Sequence, residues 1–212
     1  MFFWYMLIRM YNENPAPRHV RQVVDVLRNG GIIIFPTDTV YGLGCDIFHH
    51  RAIERIARLK GLDYSTGTNK FSFICNDLSS LSEYSKQVDN NIYKLMRRNL
   101  PGPFTFILEA SGKVPKILKS KKKTIGIRIP DNNVIREIVR ELGNPILTTS
   151  VHDHEDEILE YLTDPELIYE RYADSVDLVV DGGYGKTTPS AIIDCTSGEI
   201  EIVREGEKEL EY

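Results

Sequence analysis

Cysteine is scarce in this sequence of 212 residues, which contains three: Cys45, Cys75 and Cys195. Their number is odd, and no two of them have the CxxC spacing of many zinc sites. The sequence therefore predicts neither a disulfide framework nor a zinc site. Unpaired cysteines are typical of proteins that work in a reducing compartment.

Long apolar stretches are also missing. The apolar residues 1–8 are too few to span a bilayer, and they lack the basic leader and small-residue cleavage site of a signal peptide. We therefore expect a cytoplasmic protein without membrane association, in which this stretch forms a first strand.

An excess of basic residues is absent as well. There are 26 Lys and Arg and 31 Asp and Glu, which gives a formal net charge of -5. This excludes a protein that is basic throughout, as many nucleic-acid-binding proteins are. A local basic patch is still compatible with it, and the candidate is a run of four lysines: Lys119, Lys121, Lys122 and Lys123.

Helical and strand patterns alternate along the whole chain. Apolar runs predict strands at 32–35, 71–75, 104–108, 124–130, 145–148, 176–180, 191–193 and 200–203. Helical spacing and capping residues predict helices that begin near 14, 50, 77, 89, 131 and 164. No internal repeat or linker is visible. We therefore expect one α/β domain over residues 1–212, built on a twisted mixed β-sheet flanked by helices.

A row of hydroxyl side chains follows the strand at 32–35. Pro36 has no N–H and ends the strand. Thr37, Thr39 and Tyr41 then lie two residues apart, so an extended backbone would aim all three hydroxyls the same way. The two glycines that follow them allow a ligand to approach the backbone closely. The pattern favours a ligand site, although threonines after a strand can also cap the local backbone.

The strand predicted at 124–130 alternates strictly. Isoleucines face one way, and Thr124, Gly126 and Arg128 face the other. The polar face thus presents a hydroxyl, a gap and a guanidinium in one row. This favours a site for an anion, with an exposed salt bridge of Arg128 as the alternative.

These motifs, in this order, resemble those of the YrdC/YciO family. The matching segments span nearly the whole chain: Pro-Thr-Asp-Thr-Val-Tyr-Gly-Leu at 36–43, Lys60-Gly61, Pro-Gly-Pro-Phe-Thr at 101–105, Thr-Ile-Gly-Ile-Arg-Ile-Pro at 124–130, Asp181-Gly182-Gly183 and Arg204-Glu205-Gly206.

The resemblance implies a YrdC/RibB-like fold with a concave, positive cleft. It also implies synthesis of L-threonylcarbamoyladenylate from ATP, bicarbonate and L-threonine, with Mg²⁺ accompanying the ATP, for modification of adenosine 37 in tRNA. Such a reaction needs positioning and charge stabilisation rather than a protein nucleophile. Double-stranded RNA binding is associated with the family too. We expect no metal site made by the protein's own residues.

By the same resemblance, threonine would be bound by Thr37, Thr39, Tyr41 and Arg128, with the Arg128 fork on its carboxylate. The nucleotide would be bound by Lys60, Thr124, Ser150, Ser190 and Arg204. Some of these residues have structural alternatives that the sequence leaves open. Lys60 ends a helix, where a cation is favourable in any case, Ser150 can cap a turn, and Arg204 can be solvated.

Two departures from the family pattern concern the expected ATP site. Leucine, Leu62, follows Lys60-Gly61 where the synthases have arginine, and His152 follows Ser150-Val151 where they have asparagine. Cys75 also replaces a histidine expected to contact threonine. These departures resemble the YciO-type branch. Each lost charge-assisted hydrogen bond costs about 1.5–3 kcal/mol, so we expect weak or absent synthase activity unless Lys70, in the loop 61–70, compensates.

A second hypothesis belongs to another functional class. The lysine run at 119–123 is the best candidate for contact with RNA phosphates. The chain would then be a non-catalytic double-stranded RNA-binding protein in tRNA or ribosome maturation. A solvated basic surface is the structural alternative for this run.

Overall fold

A computed structural model describes residues 6–62, 71–115, 118, 123–151 and 160–212. The described residues contain ten strands: β1 (Met6–Arg9), β2 (Ile33–Phe35), β3 (Gly42–Asp46), β4 (Ser72–Ile74), β5 (Phe104–Glu109), β6 (Thr124–Arg128), β7 (Ile146–Ser150), β8 (Leu178–Asp181), β9 (Ala191–Asp194) and β10 (Glu201–Arg204). The predicted first strand is therefore present from Met6 onward, and residues 1–5 lie outside the described part.

Helices lie between several of these strands, but no described α-helix separates β2 from β3, β5 from β6, or β8, β9 and β10. The predicted helices are present, although the first and third begin a few residues later than the capping pattern predicts, at Pro17 and Leu81, without a side-chain cap. They are α1 (Pro17–Arg28), α2 (His50–Leu59), α3 (Leu81–Tyr84), α4 (Asn90–Asn99), α5 (Asn133–Leu142), a 3-10 turn at Glu160–Thr163 and α6 (Pro165–Tyr172). Side chains of Asp89, Asn132 and Asp164 cap α4, α5 and α6 by accepting backbone N–H bonds. Among the described residues, no helix combines the length and the apolar character that a membrane span requires.

The ten described strands form a single sheet in the order β1-β8-β2-β3-β7-β4-β6-β5-β9-β10. The sheet contains parallel pairs such as β4–β6 and β5–β9 and antiparallel pairs such as β3–β7 and β5–β6. The prediction of one mixed sheet flanked by helices is therefore confirmed.

Strand β3 was not expected from the sequence, because it contains two glycines, which are depleted in strands. The structure gives the reason for both. A Cβ on Gly42 would lie 2.6 Å from the Phe35 ring, and one on Gly44 would lie 2.2 Å from the Leu147 carbonyl oxygen. Neither glycine has a positive φ, so the glycines make room for neighbouring strands and the Phe35 ring.

The two faces of the sheet are covered differently. On one face, α2, α4 and α6 contribute to a large apolar cluster that includes Ile53, Leu95 and Ile168. On the other face, α1 and α5 pack over β2, β8 and one end of β4 and β7. Beyond these two helices, that second face carries small and polar residues, and it is there that the predicted site residues meet.

Candidate functional site

Arg128, at the end of β6, lies against the segment between β2 and β3. Its Nη2 donates to Thr39 Oγ1 at 2.6 Å and to Thr37 Oγ1 at 3.2 Å. The two threonine hydroxyl oxygens are 3.2 Å apart. The structure thus brings together three of the four residues that were predicted to bind L-threonine. Alternation within each segment had indicated all three.

Thr37 also caps the local backbone, which is the structural alternative for threonines that follow a strand. Its hydroxyl donates to the Val40 carbonyl at 2.7 Å and accepts from the Thr39 N–H at 3.0 Å. These local bonds hold the segment in a turn. The hydroxyl that supports the turn is therefore also one that Arg128 contacts.

Asp38 is the member of this group that sequence reasoning missed. Arg128 Nη2 donates to Asp38 Oδ1 at 2.8 Å, and the two side chains are 9% and 10% exposed. Burial lowers the pKa of Arg128 and the Asp38 carboxylate raises it, but an arginine keeps its charge in either case. Strict alternation would direct Asp38 away from the two threonines. The chain bends at 38–40, and the bend turns the carboxylate toward Arg128.

Tyr41 is placed elsewhere, which corrects the expectation that three hydroxyls point the same way. Its ring is buried in the apolar cluster of the opposite face. Its hydroxyl donates to the Gly183 carbonyl at 2.6 Å and accepts from the Gly182 N–H at 3.1 Å. Burial raises the pKa of this hydroxyl, so it stays protonated and keeps donating. The same bend at 38–40 breaks the period-two alignment.

Ser190 and Arg204, both predicted for the nucleotide, lie together at the start of β9 and the end of β10. Arg204 Nε and Nη2 donate to the Ser190 carbonyl at 3.0 and 2.8 Å. The Ser190 hydroxyl lies 2.8 Å from Thr105 Oγ1. Thr105 belongs to the Pro-Gly-Pro-Phe-Thr motif, but no role was assigned to it from sequence.

Thr105 connects the two groups. In the antiparallel pair β5–β6 it lies directly opposite Arg128, so the two side chains share one face of the sheet. Partial burial lowers the pKa of Arg204, and the positive charge of Arg128 lowers it further by a smaller amount. The Thr105 and Ser190 hydroxyls therefore lie between the Arg128 and Arg204 guanidinium groups, along the neighbouring strands β6, β5, β9 and β10. We call these four residues the Arg128–Arg204 row. Guanidinium and hydroxyl groups are donors that suit carboxylate and phosphate oxygens.

Gly126 lets the side chains of the two neighbouring strands approach each other beside this row. Gly126 lies between Ser72 of β4 and Ile107 of β5 in register. A Cβ at Gly126 would lie 2.6 Å from Ser72 Oγ and 3.1 Å from the Thr105 methyl group. The gap that alternation predicts in β6 is therefore filled by the Ser72 and Thr105 side chains, which close over Gly126 from the two neighbouring strands.

Three other predicted nucleotide residues lie on separate elements. Thr124 begins β6 opposite Glu109, and Ser150 ends β7 opposite Gly42. Lys60 follows α2, and its N–H donates to the Ile56 and Ala57 carbonyls. Their roles toward a nucleotide stay predictions.

The replaced residues that the structure describes cannot supply the missing polar groups. Leu62 packs at the edge of the large apolar cluster. Cys75 is 2% exposed, and burial raises the pKa of its thiol to about 12, so it is a neutral core residue. His152, Lys70 and the lysines Lys119, Lys121 and Lys122 lie outside the described residues. Lys123 is described, and it is exposed.

No group of three or more His, Cys, Asp or Glu residues that could hold a metal ion occurs within the described ranges. The Asp38 carboxylate is paired with Arg128.

Comparison with known proteins identifies the family of this chain. The Sua5/YciO/YrdC family profile, described as Telomere recombination, matches residues 25–206. The chain is 42% identical over 198 residues to YciO of Escherichia coli strain K12, covering 93% of each chain. The crystal structure of E. coli YciO superposes with a TM-score of 0.89, at 40% identity and over 97% of this chain and 98% of that one.

Two more distant proteins have names that state an activity or a ligand. Threonylcarbamoyl-AMP synthase of Coxiella burnetii is 26% identical over 182 residues, which are 85% of this chain and 95% of the synthase. P. abyssi Sua5, in a crystal structure complexed with L-threonine, has a TM-score of 0.83 at 24% identity, over 95% of this chain and 57% of Sua5. The profile match and the identity to YciO together show that the chain belongs to the Sua5/YciO/YrdC family.

Proposed function

We propose that this protein binds L-threonine and ATP on the polar sheet face along the Arg128–Arg204 row and forms threonylcarbamoyl-AMP from them and bicarbonate. The observation that carries the proposal is the convergence of Arg128 with Thr37 and Thr39 on one side of Thr105, and of Arg204 with Ser190 on the other. Threonine brings a carboxylate and ATP brings phosphates, and each end of the row offers a guanidinium and a hydroxyl.

In the proposed reaction the threonine amine first takes up bicarbonate, with loss of water, to give a carbamate. A carbamate oxygen then attacks the α-phosphate of ATP, and pyrophosphate leaves. Neither step needs a covalent bond to the protein. The residues of the row contribute by orienting the two anions and by offsetting the charge that builds on the α-phosphate.

Roles follow from position along the row. Arg128 holds the threonine carboxylate, with the Thr37 and Thr39 hydroxyls beside it. Arg204 and the Ser190 hydroxyl lie along the nucleotide, at the other side of Thr105. Mg²⁺ enters with the ATP phosphates as part of the substrate, and it lowers the repulsion between phosphate and carbamate.

The rate is expected to be low. Leu62 and His152 stand where synthases of this family have a cation and an amide for the phosphates, and Leu62 packs as an apolar residue. Two lost charge-assisted bonds at about 1.5–3 kcal/mol each reduce nucleotide binding by several powers of ten unless another group replaces them. The proposed function therefore includes slow turnover.

One incubation tests the proposal. The protein is mixed with ATP, Mg²⁺, bicarbonate and labelled L-threonine, and pyrophosphate and threonylcarbamoyl-AMP are measured over hours. We expect product that depends on all four reactants and that falls at least about tenfold in Arg128→Lys. Arg140→Lys, at an exposed site on α5, is the matched control. Wild-type protein that gives no more product than heat-killed protein contradicts the proposal.

RNA binding is not part of this proposal. Three of the four lysines that suggested it, Lys119, Lys121 and Lys122, lie outside the described residues, and nothing observed elsewhere favours it. Binding of double-stranded RNA, a role in tRNA modification and a cytoplasmic location all stay predictions from the sequence.

A further inference from the structure

The hydroxyl of Tyr41 joins two segments that are far apart in the sequence. It donates to the Gly183 carbonyl at 2.6 Å and accepts the Gly182 N–H at 3.1 Å. The Tyr41 side chain is 1% exposed. One buried hydroxyl therefore satisfies two backbone groups of the segment that follows β8, which we call the 182–190 segment.

Close packing reinforces this contact along its first half. A Cβ on Gly182 would lie 2.5 Å from Pro36 Cγ, and one on Gly185 would lie 2.8 Å from the Tyr41 ring. The Lys186 N–H donates to the Thr39 carbonyl at 3.1 Å. The 182–190 segment thus lies directly on the backbone that carries Thr37 and Thr39, with no room for a side chain at the two glycines.

The second half of the same segment ends in the nucleotide part of the row. Ser190, its last residue, contacts Thr105 through its hydroxyl and Arg204 through its carbonyl. The 182–190 segment is therefore held by the threonine end of the site at one extremity, and it holds Arg204 at the other.

We propose that Tyr41 is a positioning residue that couples the binding of threonine to the binding of the nucleotide. The inference rests on the proposed function, because it concerns the same site. A ligand that fixes either end of the 182–190 segment leaves the other end less freedom, so the second ligand binds more tightly. Tyr41 transmits this effect because its hydroxyl fixes the first half of the segment to the Thr37–Thr39 backbone.

A purely structural role for the Tyr41 hydroxyl predicts a different result. Tyr41→Phe keeps the ring and its packing against Gly185 but removes both hydrogen bonds. If the hydroxyl only stabilises the fold, the melting temperature falls while the ratio of threonine affinities with and without nucleotide is unchanged. If it couples the two ends, that ratio itself falls.

Titration calorimetry on the full chain tests the proposal. The Kd for L-threonine is measured alone and with saturating α,β-methylene-ATP and Mg²⁺, for the wild type, Tyr41→Phe and Tyr84→Phe. Tyr84 is a matched control, because it is a buried tyrosine that packs against Phe73 with ring centroids 5.7 Å apart. We expect the analogue to tighten threonine binding at least about fivefold in the wild type and Tyr84→Phe, and less than about twofold in Tyr41→Phe.

Hydrogen exchange gives a second readout that needs no ligand. The Gly182 and Lys186 amides should exchange faster in Tyr41→Phe than in the wild type, and at the wild-type rate in Tyr84→Phe. Equal coupling ratios in Tyr41→Phe and the wild type would overturn the inference, as would a wild type that binds both ligands independently. Coupled binding without any threonylcarbamoyl-AMP formation would instead overturn the proposed reaction and leave the coupling standing.

Discussion

Arg128 and Asp38 form a buried ion pair that uses one oxygen of the carboxylate and one nitrogen of the guanidinium. Nη2 donates to Oδ1 at 2.8 Å, whereas Asp38 Oδ2 and Arg128 Nε are buried without a hydrogen-bond partner among the described residues. A guanidinium and a carboxylate can make two parallel hydrogen bonds. Arg128 and Asp38 make only one of these two bonds, because Arg128 Nη2 also donates to Thr37 and Thr39. The buried pair is therefore incompletely satisfied, with one N–H and one carboxylate oxygen unpaired among the described residues.

Removing the Asp38 charge should destabilise the free protein. Asp38→Asn leaves the Arg128 guanidinium buried without a counter-ion, and breaking a buried pair costs about 3–5 kcal/mol. We expect a loss of this size in the free energy of unfolding, measured by urea denaturation at pH 7. The control is Lys86→Met, which breaks an exposed pair with Glu109 and should cost less than about 1 kcal/mol. Similar losses in both variants would argue against a buried, incompletely satisfied pair.

Arg128→Lys should weaken threonine binding more than nucleotide binding. Lysine keeps the charge but loses the planar fork that can serve the two hydroxyls, Asp38 and a ligand carboxylate together. We expect about a tenfold to hundredfold rise in the threonine Kd, which corresponds to about 1.5–3 kcal/mol, and a smaller change for α,β-methylene-ATP, both by calorimetry. An equal loss for the two ligands would place Arg128 at a shared phosphate site instead.

Arg204→Gln should have the opposite selectivity. Arg204 is held by the Ser190 carbonyl and experiences the positive charge of Arg128, so a bound polyphosphate relieves a repulsion that the free protein contains. We expect the rise in melting temperature on addition of MgATP to fall by at least about half in this variant. Arg9→Gln, an exposed arginine near Asp181, should show the wild-type rise. A full rise in Arg204→Gln would remove Arg204 from the nucleotide site.

The sequence predicted the parts of the site that local periodicity determines. Alternation within 124–130 placed Arg128 on a polar face, and the Pro-Thr-Asp-Thr motif marked Thr37 and Thr39, which the structure brings to it. Alternation failed for Asp38 and Tyr41, because the backbone bends at 38–40 and strict period two holds only in an extended chain.

Long-range pairing accounts for what the sequence could not provide. Thr105 faces Arg128 because β5 and β6 pair in one particular register, and the register depends on the whole sheet. Strand β3 forms despite its glycines, because the Phe35 ring and the neighbouring strand occupy the space that side chains would need. Strand register and packing of this kind depend on contacts between distant segments, so they cannot be predicted from a short stretch of the sequence.

Gly44→Ala should destabilise the sheet strongly. The new Cβ would lie 2.2 Å from the Leu147 carbonyl oxygen and 2.9 Å from Ile146 Cγ2, so strands β3 and β7 would have to separate. We expect a loss of about 2–3 kcal/mol or more in the free energy of unfolding. Gly112→Ala is the control, because among the described residues no atom beyond its chain neighbours lies within 4 Å of the position that its Cβ would take. A harmless Gly44→Ala would mean that β3 and β7 are not packed this closely in solution.

The stability of the protein should fall as the pH rises above about 8.5, in part because of Cys75. Burial raises the pKa of its thiol to about 12, whereas an exposed thiol in the unfolded chain titrates near about 8.5. Between these values the unfolded chain has lost a proton that the native protein keeps, so the free energy of unfolding decreases by about 1.4 kcal/mol per pH unit for this thiol. The contribution is complete below about pH 8.5 and is lost as the pH approaches about 12.

Urea denaturation between about pH 7 and 10 in reducing buffer isolates this contribution of Cys75. Cys75→Ala should lower stability at every pH through lost packing, but the decline above about pH 8.5 should be shallower than in the wild type by about 1.4 kcal/mol per pH unit. Val114→Ala, at a buried position without a titrating group, should keep the wild-type slope. Identical slopes in all three proteins would show that the Cys75 thiol ionises in the native state as readily as in the unfolded chain, and hence that it is open to water.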